Sequence, residues 1–232
     1  KITGNGTWVP YDTAYPKPEP LIHIEDICSD NDDNVWYATR EGLIKTKNNT
    51  WVQYNTKNYN IESEQLFSVD CDSKGQPWFA MIQNGIGVLN PGTGKFTYYH
   101  ADDSGLPTNL VIDIAVDSKD NVWAGTTAGL AKFDGNEWTV YNRKNSPLTS
   151  DTIGEVFVDR NDNVWVSLSK ISSYYGIYSV GLGVFQEGGI ITTGVENDIT
   201  VSEFNFSVSP NPFSQFQTTN YELRQAGHVT LK

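Results

Sequence analysis

Positive charge is scarce in this chain: 16 Lys and Arg stand against 28 Asp and Glu among 232 residues, a net charge of −12. A surface that acidic repels phosphate backbones and anionic headgroups, which argues against nucleic acid or an anionic membrane as a partner. Long apolar runs are missing as well. None approaches the ~18 residues of a membrane-spanning helix, so no transmembrane segment is expected. Histidine is limited to His23, His100 and His228, which stand far apart with no ligand or triad spacing, and zinc or nucleophilic chemistry finds no support in them. No stretch repeats its apolar residues every 3.6 positions, so helices should be nearly absent. An initiator Met is also lacking: the chain opens in mid-pattern at Lys1-Ile2-Thr3-Gly4, which reads as processing or as part of a longer protein.

What the chain does hold is enough apolar and aromatic material for a packed core, 38% and 12% of residues. Four segments share one pattern, an apolar strand ending in Asp, a polar turn, and Trp six residues after the Asp. The pairs are Asp30/Trp36, Asp72/Trp78, Asp117/Trp123 and Asp159/Trp165. A Gly-Leu or Gly-Ile pair follows each Trp, at Gly42-Leu43, Gly85-Ile86, Gly129-Leu130 and Gly181-Leu182. An aromatic-x-x-Tyr strand comes next in three of them: Trp51/Tyr54, Phe96/Tyr99 and Trp138/Tyr141. An unpaired copy, Trp8/Tyr11, precedes the first unit.

Each unit yields four short strands. In the third these are 111–116, 122–126, 129–133 and 137–141, with Asp117 to Asn121 as a hairpin turn of residues that tolerate positive φ. Four strands per repeat of about 43 residues is the blade of a β-propeller. A lone blade cannot bury both faces, so blades must stack, and a Trp on the second strand is large enough to bridge two of them. The Gly before Leu should relieve a bend or a close backbone approach. Trp36, Trp78, Trp123 and Trp165 are therefore read as structural.

The pattern D-x-x-x-N-x-W followed by G-L-x-x-F resembles the two-component-regulator propeller repeat, over roughly residues 7 to 190. The second unit departs from it at Gly75, Pro77 and Ala80-Met81, and the fourth at Ser167 and through an insertion of about ten residues. The resemblance implies an all-β propeller used for recognition or scaffolding in an exported protein, with no catalytic motif and no cofactor.

The expected domain plan is a run of blades over 1–193, with an outer-strand remnant at 7–12 and repeats near 21–55, 64–100, 110–142 and 152–193. Four units with an orphan strand in front suggest part of a larger propeller. A four-bladed ring, closed by Trp8's strand pairing with Gly183 to Gln186, is the other possibility. A polar linker, 194–203, leads into 204–232. There Pro210-Asn211-Pro212-Phe213, then Tyr221 to Leu223, then Gly227, Val229 and Leu231 resemble the start of a type IX secretion sorting domain. That resemblance implies a truncated β-sandwich, contact with the type IX machinery, and export from a Gram-negative bacterium to the cell surface or medium.

Three further features invite chemistry. The acidic turns, above all Asp30 to Asn34 and Asp159 to Asn163, carry oxygen ligands of the kind calcium takes. The spacing survives at Ser73 to Gln76 without those carboxylates, so a hairpin explains every copy and no metal is expected. The insertion Ser169 to Gly181 brings Tyr174, Tyr175 and Tyr178, flat amphipathic rings suited to stacking on a glycan or anchoring a protein. Cys28 and Cys71 fall one position apart in the repeat, on opposite strand faces, which predicts two free buried thiols rather than a disulfide. The function expected is non-catalytic binding or scaffolding. A sensory ectodomain is the alternative, with a propeller lyase or glycan hydrolase behind it.

Overall fold

The computed structural model describes residues 23–48, 50–172 and 176–185, and two short strands further on. Blade one is β1 (Ile24–Ser29), β2 (Val35–Thr39), β3 (Gly42–Lys47) and β4 (Thr50–Tyr54). Blade two is β5 (Leu66–Cys71), β6 (Pro77–Met81), β7 (Gly85–Asn90) and β8 (Lys95–Tyr99). Blade three is β9 (Val111–Val116), β10 (Val122–Thr126), β11 (Gly129–Phe133) and β12 (Trp138–Tyr141). Blade four contributes β13 (Thr152–Val158), β14 (Val164–Ser172) and β15 (Gly176–Phe185). Each sheet is an antiparallel meander in chain order, and no helix occurs among the described residues. The all-β blade architecture is thus present, with the third unit's strands within one residue of expectation.

The repeat Asp builds its own hairpin. In blade three one carboxylate oxygen of Asp117 accepts the Lys119 and Asn121 backbone N–H groups at 3.0 and 2.9 Å. The other oxygen accepts the Asn121 side-chain amide at 2.7 Å and the Trp123 indole N–H at 2.9 Å. The same four donors recur around Asp30, Asp72 and Asp159. The D-x-x-x-N-x-W spacing is therefore one hydrogen-bonded unit, and the residue three after each Asp takes the left-handed region, with φ of 60° at Asp33, 72° at Gly75, 64° at Asp120 and 58° at Asp162.

Each Trp then fills the seam to the next blade. Trp36 packs with Leu66, Val69 and Phe79, Trp78 with Val111, Ile114 and Val122, and Trp123 with Ile153, Val156 and Val164. Trp165, with no described blade beyond it, is only half-buried. At Gly42, Gly85 and Gly129 φ is positive, and a β-carbon would overlap the carbonyl oxygens of Tyr54, Tyr99 and Tyr141. Glycine there lets the fourth strand cross close to the start of the third. Gly181 lacks both features.

The cysteines correct the expectation of free thiols: Cys28 and Cys71 form a disulfide with their Cα atoms 6.2 Å apart. Stacked blades are related by rotation, so one face of each meets the opposite face of the next. Residues one position apart on neighbouring inner strands therefore point at each other, not away.

The chain divides into two units, 1–193 and 194–232. In the second, β16 (Ser207–Ser209) pairs antiparallel with β17 (Thr218–Asn220). The outer strand expected at 7–12, Ile190 to Thr193, and Pro210 to Phe213 lie outside the described residues.

Candidate functional site

The inner strands β1, β5, β9 and β13 line a groove of about 690 Å³. Its polar wall is entirely acidic, made of Glu25, Asp26, Asp70, Asp113 and Glu155, with no Lys, Arg or His among the lining residues. Its apolar wall includes Phe67, Ile112 and Phe157, and Ile177 reaches it from the inserted hairpin. The β14–β15 pairing runs out to Ser172 opposite Gly176, so the insertion is a hairpin extension of two existing strands. Tyr178 stands opposite Lys170 within it, while Tyr174 and Tyr175 lie outside the described residues. Sequence reasoning singled out this hairpin but not the groove, because inner-strand residues such as Asp70 and Asp113 carry no motif of their own.

Three of the groove carboxylates also tie blades together. Asp26 accepts the Val69 N–H at 2.9 Å, Asp70 the Val116 N–H at 2.7 Å and Asp113 the Val156 N–H at 2.7 Å. Burial pushes Asp113 up to about 6, against the lowering effect of hydrogen bonds from Ser68 and the Val156 N–H. Burial raises Asp70 too, opposed by the Val116 and Cys71 N–H groups. A carboxyl raised in the fold binds a proton in the native state that the unfolded chain has already lost, so stability falls as pH rises from about 4 to about 6. Asp113→Asn keeps an oxygen for the Val156 N–H and removes the buried charge. Its melting temperature is expected to exceed the parent's at pH 7, with the difference gone by about pH 4, in thermal melts across pH. A variant equally destabilised at both pH values refutes this. Asp70 faces the same groove and retains its share of the slope.

The acidic turns behave differently. Each repeat carboxylate is occupied by N–H donors, and bonds from the Trp165 indole and the Asn163 amide hold Asp159 far below the usual carboxylate range. Donors of that kind occupy the lone pairs a calcium ion would need. On the inter-blade loops, His100 Nε2 lies 2.8 Å from Glu62 and Nδ1 lies 3.7 Å from Asp103. Partial burial works to lower the His100 pKa, but Glu62 and Asp103 outweigh it and raise it. His100, Asp102 and Asp103 lie within ligating reach of one another, although the bond to Glu62 occupies one ring nitrogen. His23 is exposed, and His228 lies outside the described residues.

Comparison with known proteins follows the same lines. A family match, two component regulator propeller, covers residues 105–128, from the loop before β9 through its hairpin to the end of β10 and just beyond. No curated protein matches. Among solved structures, the chain is similar to the extracellular domain of a hybrid two component system from B. thetaiotaomicron, with 18% identity, a TM-score of 0.57, and 88% of this chain and 33% of that one covered. A second such B. thetaiotaomicron ectodomain matches at 16% identity and TM-score 0.55, covering 88% and 32%. Virginiamycin B lyase from Staphylococcus aureus matches at 15% identity and TM-score 0.54, covering 82% and 74%. The chain therefore spans about a third of the length of the ectodomains it matches. At these identities the likeness establishes the fold: this chain is a stack of β-propeller blades carrying a two component regulator propeller match.

Proposed function

We propose that the chain is a non-catalytic recognition segment of an exported protein, holding its ligand in the inner-strand groove beside the 169–181 hairpin. The observation that carries this reading is the groove itself. Its lining offers no Ser, Cys, Lys or His, and three of its carboxylates are engaged in inter-blade hydrogen bonds. Its acidic wall disfavours polyanions, which leaves neutral glycans and neutral or basic peptides. The inter-blade disulfide supports an oxidising compartment and hence export. Binding is tested with arrays of neutral oligosaccharides and extended peptides. A hit should lose at least about tenfold in affinity in Phe157→Ala and Tyr178→Ala, and stay unchanged in Arg143→Ala on an outer loop. Hits indifferent to both variants, no hit in either class, or turnover of a bound glycan would each reject the reading.

The sorting-type tail supports the route. Fused behind a periplasm-targeted reporter in a bacterium with a type IX system, residues 194–232 completed by the strands such domains normally add should carry it to the surface. Periplasmic retention of that fusion counts against this route. The fold shared with B. thetaiotaomicron ectodomains favours a second reading, a sensory ectodomain. Sensing requires the gene product to continue into a membrane span, which the mass and termini of the full-length protein decide.

A further inference from the structure

The inner-strand groove accepts hydrogen bonds but has little left to donate. Its polar side chains, Glu25, Asp26, Asp70, Asp113 and Glu155, carry no donor when ionised, and the rest of its lining is hydrocarbon or phenyl. Backbone donors along the inner strands are spent as well. Asp26 takes the N–H groups of Ile27 and Val69 at 2.7 and 2.9 Å, and Asp70 takes those of Cys71 and Val116 at 2.8 and 2.7 Å. Ser68 Oγ takes the Ile114 N–H at 3.2 Å, and Asp113 takes the Val156 N–H at 2.7 Å.

The negative charge of the groove is also largely uncompensated. Burial, with Glu155 and Asp26 close by, holds Asp113 up at about 6, and Asp26 adds to the burial that raises Asp70. Of the lining carboxylates only Glu25 meets a Lys or Arg among the described residues, namely Arg40. Glu155 is exposed, and its side chain makes no hydrogen bond or ion pair among the described residues.

Together these properties select the chemistry of an occupant. A glycan hydroxyl both donates and accepts, and its accepting half meets no partner here. A metal ion needs several oxygens with free lone pairs, and N–H groups already occupy Asp26, Asp70 and Asp113. An ammonium or guanidinium only donates, and the aliphatic stem behind it suits Ile27, Ile112 and Phe157. A volume of about 690 Å³ has room for several residues, more than a lone amine fills.

Building on the assignment of this groove to ligand recognition, we propose that its occupant is a basic peptide segment. A Lys or Arg side chain enters beside Glu155 and Asp113 and lies against Phe157, while the main chain stays on the solvent side.

Fluorescence anisotropy tests this on the chain, with short fluorescein-labelled peptides that alternate Val with Lys, acetyl-lysine or Glu. The Lys peptide should bind at least about tenfold more tightly than its acetyl-lysine twin, and the Glu peptide should not bind. Glu155→Gln and Asp113→Asn should each shrink that advantage at least about threefold. Asp102→Asn, which removes the same charge from an exposed loop residue outside the groove, should leave it unchanged. Thermal melts at least matching the parent's verify that the variants fold. Groove-dependent binding, lost in Phe157→Ala, that is confined to neutral sugars or is equal for Lys and acetyl-lysine overturns the cationic occupant and spares the recognition reading. Absence of groove-dependent binding by every peptide and oligosaccharide overturns both. A Lys advantage untouched by both carboxylate variants, or spermidine binding as tightly as the Lys peptide, overturns the proposal alone.

Discussion

Asp117→Ala is expected to cost roughly 3–5 kcal/mol, the largest loss for any single turn substitution in this protein. The side chain accepts four N–H groups, from Lys119, Asn121 twice, and the Trp123 indole. Asn121 and Trp123 are buried, so water cannot replace the lost oxygens without opening the seam between blades three and four. Asp117→Asn does not rescue the site, because an amide puts one NH₂ group against donors. Trp123→Phe separates the contributions: it keeps part of the ring's contact with Ile153 and Val156 and gives up the indole bond with the smaller part of the ring, for a loss of about 2 kcal/mol. Urea unfolding followed by Trp fluorescence and circular dichroism measures all three. An Asp117→Ala loss no greater than that of Trp123→Phe would mean that the turn does not depend on its carboxylate.

That hydrogen-bonded unit shows how far the sequence could be read. The spacing of Asp30, Trp36 and their three counterparts is a strictly local signal, since the carboxylate meets its own turn and a Trp on its own hairpin, and the all-β meander followed from it. The seam position of the Trp was legible for the same reason, as was the glycine that the Tyr54, Tyr99 and Tyr141 carbonyls enforce. Which other residues meet across a seam was not legible. The Cys28–Cys71 pairing was misjudged because the repeat alignment showed opposite faces, and only rotation between stacked blades converts opposite faces into facing ones. The inter-blade loops follow a common plan that their residues disguise. Asn58, Asp103 and Asn145 each cap a backbone N–H, of Asn55, His100 and Asn142, and Ile61, Leu106 and Leu148 are buried beside them. Different side chains fill the same role, so no marker stands out. The groove is hidden for a further reason: apart from Ile177, its lining comes from one strand per blade, some 40 residues apart in the chain.

Reduction of the Cys28–Cys71 disulfide is expected to be the second severe perturbation. The bridge closes a loop across a sequence separation of 43, and loop-closure entropy for that length amounts to about 4 kcal/mol. Against a total stability of about 5–15 kcal/mol for a typical domain, that is about a quarter or more of the margin. The effect acts mostly on the unfolded chain, since Trp36, Val69 and Phe79 would still fill the seam around the thiols. Urea melts with and without reductant should therefore show a lower midpoint and a steeper dependence on denaturant, because the unlinked chain exposes more surface when it unfolds. Cys28→Ser with Cys71→Ser should behave like the reduced protein. Blade three should be touched least, its seam to blade four depending on Trp123 and the Asp113 bond rather than on sulfur. Hydrogen exchange resolves that distinction: on reduction the β1 and β5 amides should lose protection before those of β9. Equal loss in all of them would make the stack one cooperative unit, and an unmoved midpoint would show that the seam between blades one and two holds without its covalent link.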